Sequence, residues 1–111
     1  MFYVLIDSNG LRVQQSEEML TLNEMQNFVG IEGQSASIEV ASYCSFRGES
    51  IAMICDEEFL LKKYDPTCAT SDGVVLHGQV LIVGISETGE DFVLLTKNQI
   101  EIVKSQVLLV T

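Results

Sequence analysis

Tryptophan is absent from this 111-residue sequence, proline and histidine occur once each, and lysine and arginine together number six. Each scarcity excludes something. The six cations, Arg12, Arg47, Lys62, Lys63, Lys97 and Lys104, are scattered among sixteen acids, for a net charge of −10. Gripping a phosphate backbone takes clustered positive charge, so direct nucleic-acid binding is not expected. An anionic membrane surface is disfavoured for the same reason. There is no Pro-rich or Gly/Ser-rich linker and no repeat, and the length suits one domain over residues 1–111. No apolar run has the length of a membrane span. The opening MFYVLIDSNG lacks the basic start and long apolar stretch of a secretory leader. Cys44, Cys55 and Cys68 are odd in number and form no CxxC, which fits a reduced, cytoplasmic protein.

A single histidine leaves little room for catalysis. Cys68 is the best nucleophile candidate, because DPTCATSD (65–72) reads as an exposed loop. A thiolate needs a base or a positive field, however, and no spacing brings His77 or a lysine to it. A zinc set of Cys44, Cys55, Cys68 and His77 would have ligands about ten residues apart, where structural zinc sites use close pairs. Cysteines buried as small hydrophobes are the better reading. Asp56-Glu57-Glu58 lacks an oxygen-rich calcium loop, GISETG and GIEGQ lack nucleotide-loop spacing, and no GxSxG occurs. No catalytic residue, metal ligand or cofactor is therefore expected.

What the chain does have is apolar strand material, with 47% hydrophobic residues. The longest run, Gly73–Ile85, reads as one central strand. Val74, Leu76, Val80 and Ile82 share one face with Gly78. Val75, His77, Gln79, Leu81 and Val83 share the other. Residues 2–14 read as a hairpin turning at Asn9-Gly10. Thr21 and Glu24 form a capping box for a helix whose stripe is Leu22, Met25, Phe28 and Val29, stopped by Gly30. Residues 36–44 and 51–55 pair as a second hairpin. Asp56 either caps a short helix through Tyr64 or opens a loop, and Pro66 ends it. Phe92–Leu95 is a strand. Thr96 and Gln99 form a second capping box, leading a helix to about Gln106 with stripe Ile100, Val103 and Val107. Val107–Val110 is either a last strand or an exposed apolar tail. The sum is an α+β domain: a mixed or antiparallel sheet of five to seven strands carrying two or three short helices.

Three stretches, taken in order, are similar to a known family. They are TLNEMQNFVG (21–30) followed by IEV (38–40), MICDEEFLLKKYDP (53–66), and HGQVLIVG (77–84) followed by DFVLLTKNQI (91–100). Over residues 2–104 the chain resembles the uncharacterised family called domain of unknown function 3846. Phe59 stands where the family's acidic turn often continues with glycine, and SFRGES (45–50) reads as an insertion. The resemblance implies a small one-domain α+β protein from bacteria, often the product of a phage, plasmid or other mobile element. It carries no catalytic residue with it.

The function expected from these residues is non-enzymatic. A sheet edge or the segment Val107, Leu108, Leu109 and Val110 would bind a partner protein or a second copy of the chain. The acidic surface would select basic partners. Two alternatives stand beside it. One is a small-molecule or nucleotide-signal binder using Cys68, His77 and Gln79. The other is an acidic decoy of a DNA-handling protein.

Overall fold

Two runs, Ile51–Asp56 and Val80–Ile85, are apolar at almost every position. A sheet containing them must be covered on both faces. The computed structural model, which describes residues 1–30, 38–40, 50–56, 58, 62–70 and 73–110, meets that requirement with three layers. Its elements are β1 (Phe2–Asp7), β2 (Gly10–Gln15), α1 (Leu22–Val29), β3 (Ile38–Val40), β4 (Ile51–Asp56), β5 (Pro66–Thr70), β6 (Val75–His77), β7 (Val80–Ile85), β8 (Phe92–Val93), α2 (Lys97–Gln106) and β9 (Val107–Leu109). The main sheet runs β2-β1-β7-β4-β3, with β8 also pairing β7. A second sheet runs β6-β5-β9. Every described pairing is antiparallel. The fold is α+β, as expected, but its strands divide between two sheets.

Alternation along β4 and β7 sorts the two cores. Met53, Cys55, Val80 and Ile82 face a core shared with Cys68 and Leu76 of the small sheet and with Ile100 and Val103 of α2. Ala52, Ile54, Leu81 and Val83 face the other core, beneath Met25 and Val29 of α1. Burying side chains of this size contributes roughly 1.5–3 kcal/mol each. Both helices begin with the expected capping boxes. Thr21 Oγ1 accepts from the Glu24 amide at 3.1 Å, and Glu24 Oε1 accepts from the Thr21 amide at 2.9 Å. Thr96 and Gln99 repeat the arrangement at 3.1 and 2.9 Å. Gly30 does end α1, but in extended backbone (φ −74°, ψ 153°) rather than the left-handed form. Leu22 departs from the expected stripe: it is the first helical residue and lies exposed. No helix among the described residues is long and apolar enough to cross a membrane.

Four sequence expectations are corrected. Gly73–Ile85 is not one strand. Gly78 has φ +77°, and the chain breaks there into β6 and β7, which belong to different sheets. Apolar parity survives the break, since Val74, Leu76, Val80 and Ile82 still serve one core. The first hairpin turns at Ser8-Asn9, because Asp7 pairs with Gly10. Gly10 carries the positive φ (+117°), while the Asp7 carboxylate accepts the Asn9 amide at 2.8 Å. The stretch expected as an exposed loop, 65–72, contains β5, the middle strand of the small sheet. The two threonines of β5 are satisfied inside the protein. Thr67 Oγ1 donates to the Gly78 carbonyl at 2.6 Å, and Thr70 Oγ1 accepts from the Val74 amide at 3.3 Å. Cys68 accordingly is buried, not exposed. For Val107–Val110, the strand alternative is the one adopted, as β9.

Residues 57 and 59–61 fall outside the described residues, and the helix considered there lies with them. What is described nearby is turn, with Lys62 N–H donating to the Glu58 carbonyl at 3.0 Å and Lys63 at φ 56°. Of the strand expected over 36–44, the described part is Ile38–Val40, paired with β4 as expected.

Candidate functional site: an open edge beside an acidic cleft

The end of β4 delivers Asp56 into the protein with 1% exposure. A buried carboxylate needs donors, and the following turn supplies three. Lys62 Nζ donates to Oδ2 at 2.8 Å, the Tyr64 hydroxyl to Oδ2 at 3.0 Å, and the Glu58 amide to Oδ1 at 2.8 Å. Burial alone pushes the Asp56 carboxyl up. The Lys62 ammonium, the Glu58 amide and the Tyr64 hydroxyl outweigh it and hold the group below its ordinary value. Lys62 is raised, chiefly by its hydrogen bond to Asp56. Tyr64 is raised by burial first and by donating to Asp56 second. The network ties Glu58, Lys62 and Tyr64 to the end of β4.

That turn is stapled to the β6–β7 break. Gly78 N–H donates to the Asp65 carbonyl at 2.9 Å. His77 Nδ1 lies 2.9 Å from the Tyr64 carbonyl; a carbonyl only accepts, so Nδ1 carries a proton. The staple borders a cleft of about 270 Å³ lined by Asp7, Ser8, Tyr64, Asp65, Thr67, Gly78 and Gln79. Asp7 also accepts Arg12 Nη2 at 3.0 Å on the surface.

The three ligand candidates separate. Cys68 faces the core and does not line the cleft. His77 leaves β6 on the opposite face from Leu76, the core partner of Cys68 in register. Gln79 does line the cleft, and its Nε2 donates to the carbonyls of Phe28 and, at 3.4 Å, Gly30. It thereby satisfies the carbonyls that the end of α1 leaves open. Among the described residues no three His, Cys, Asp or Glu side chains converge as metal ligands.

The four interaction candidates stay together. Val107 is buried, whereas Leu108, Leu109 and Val110 are 62%, 42% and 40% exposed. β9 is an edge: among the described residues, no strand pairs with its far side. The Val110 amide donates to the Thr67 carbonyl at 3.0 Å, and Leu109 stands opposite Cys68. Antiparallel pairing alternates, so the N–H and C=O of Leu109 point away from β5, toward the open edge. Across the small sheet, Ala69 stands between Leu108 and Val75, and both of those side chains face solvent.

Sequence reasoning did not find the Asp56–Tyr64–Gly78 staple or the cleft. Two local signals pointed to the staple: an acid closing an apolar run, and a glycine inside one.

No curated protein and no solved structure matches the chain. The family model described as Domain of unknown function (DUF3846) matches residues 1–108, nearly the whole chain, and the protein belongs to that family.

Proposed function

We propose that this protein is a non-catalytic, accessory protein-binding module that takes up an extended segment of a partner along the open edge of β9. The observation that carries the reading is the exposure of Leu108, Leu109 and Val110 on an edge strand. Proteins ordinarily blunt such edges with short strands, lysine, proline or a bulge; β9 is short, with 3 residues, but VLLV has neither lysine nor proline. Main-chain pairing would supply affinity, and the apolar side chains selectivity. The net charge of −10 favours a basic partner over a second copy of this acidic chain. The bacterial mobile-element setting implied by the family resemblance suits an accessory role of this kind. A small-molecule role has less support, because the cleft is smaller than the roughly 300–1,000 Å³ of drug-sized sites and does not include Cys68 or His77.

The test is native mass spectrometry at low salt on the protein drawn from its host, comparing the natural chain with Leu109→Pro. Proline removes the outward N–H and leaves the β5–β9 hydrogen bonds in place. The expected result is a partner subunit held by the natural chain and lost from the variant. A partner held equally by both, or no partner on the natural chain, overturns the reading.

A further inference from the structure

We propose that the cleft at the C-terminal end of β9 receives a cationic side chain, guanidinium or ammonium, from the same partner segment. This deepens the edge-docking reading and rests on it. Position is the first argument. β9 runs up to the cleft: the Val110 amide binds the Thr67 carbonyl, and Thr67 and Asp65 are lining residues. On the other side, Leu109 Cδ1 comes within 3.9 Å of a β-carbon built on Gly10, in the hairpin that contributes Asp7 and Ser8. A strand laid along β9 therefore ends beside the cleft.

Chemistry is the second argument. Of the four side-chain donors among the described lining residues, all but the Ser8 hydroxyl are engaged elsewhere. The Thr67 hydroxyl donates to the Gly78 carbonyl, the Tyr64 hydroxyl to Asp56, and the Gln79 amide nitrogen to the end of α1. What these groups have left is accepting oxygen. The carboxylates of Asp7 and Asp65 add two more acceptors, and no lysine or arginine is among the described lining residues. An acceptor-rich site with two carboxylates complements a cation that only donates. Asp7 already shares its charge with the Arg12 guanidinium at 3.0 Å, so among the described residues Asp65 is the lining carboxylate without an ion pair and the one on which the cation would centre. A volume of about 270 Å³ suits one side chain better than a cofactor.

Direction follows from pairing. Every described pair in this protein is antiparallel, including β5 with β9. In an antiparallel addition, the partner's N-terminal end lies beside the C-terminal end of β9. The cation should then precede the apolar residues of its segment.

Two synthetic peptides test this: acetyl-Arg-Val-Thr-Val-Thr-Val-amide and the same peptide with Gln for Arg. Each is titrated calorimetrically into the natural chain, Asp65→Asn and Leu109→Pro, with thermal unfolding confirming that both variants are folded. Asp65 is exposed, so its substitution leaves the core alone. The expected result is an Arg peptide bound about tenfold more tightly than the Gln peptide by the natural chain, as a charge-assisted contact supplies. That preference should vanish in Asp65→Asn and shrink with added salt. Equal binding of the two peptides, or a preference that survives Asp65→Asn, overturns the cleft assignment. If that equal binding is lost in Leu109→Pro, the edge reading still stands. Peptide binding untouched by Leu109→Pro, or no binding of either peptide, overturns both.

Discussion

A β-carbon placed on Gly78 would lie 2.5 Å from Cδ2 of the Tyr64 ring and 3.1 Å from its Cγ. The missing side chain at the β6–β7 break is thus what admits the ring. The ring's hydroxyl reaches on to Asp56 at the end of β4. Asp56, Tyr64 and Gly78 form one staple, which joins the main sheet to the small one beside the cleft.

Gly78→Ala should therefore cost stability twice. Holding a non-glycine residue at φ +77° costs about 1–2 kcal/mol. Crowding a packed ring adds about 1–3 kcal/mol. Chemical denaturation at neutral pH measures the sum. In a Tyr64→Ala background the ring's share of the crowding disappears, leaving the β-carbon of residue 64 at 3.3 Å, and the same substitution should cost little more than the backbone share. Equal costs in both backgrounds would show that the ring is not what the glycine accommodates.

Asp56 gives the protein a defined acid sensitivity. Its folded-state pKa lies below the ordinary 3.8, so the native state binds this proton less readily than the unfolded chain. The stabilisation is complete above the ordinary value and is lost as pH falls through the lower, folded value. Asp56→Asn should lower stability at pH 7 by about 1.5–3 kcal/mol, the range for hydrogen bonds to a charged group. It should also flatten the acid limb of the stability curve. Acid limbs that run parallel for the two proteins would remove Asp56 as the cause.

Cys55 and Cys68 have 1% and 0% exposure. Both should resist iodoacetamide in the native state and react only when the molecule opens globally. Peptide mapping should find each alkylated at least about a thousandfold more slowly than in denaturant, given the opening constants of small domains. Rapid, selective labelling of Cys68 would return the thiol to the surface and reopen a nucleophilic role for it.

Local signals were legible in the sequence, and long-range ones were not. The capping boxes span three residues each, Thr21 to Glu24 and Thr96 to Gln99, so a short window contains the whole interaction. The parity of Leu76, Val80 and Ile82 was readable for a related reason: alternation is a property of the strand itself. Whether an apolar run stays in one sheet is not. Gly78 reads as one position of a continuous strand, because nothing near it in sequence announces Tyr64 as its neighbour. Pro66–Thr70 looked like a loop because its residues are small and polar, and its burial depends on Leu108, Leu109 and Val75 pairing on either side. Gln79 looked like a ligand group, but its partner Phe28 is 51 residues away. The cleft draws on three separated stretches and leaves no pattern in any of them.

Strand β7 lies between β1 and β4 in the main sheet but is made after both. During synthesis, the hairpin of β1 and β2 and the pair of β3 and β4 emerge first, without the neighbour that joins them. At 5–20 residues per second, roughly 4–15 s separate the translation of β1 from that of β7. For roughly the last 1–5 s of that interval, once β4 is made, the nascent chain carries two unjoined β-units, and the sheet closes only when residues 80–85 clear the ribosome. Slow translation or premature termination before that point would leave β1 and β4 each with one unpaired edge.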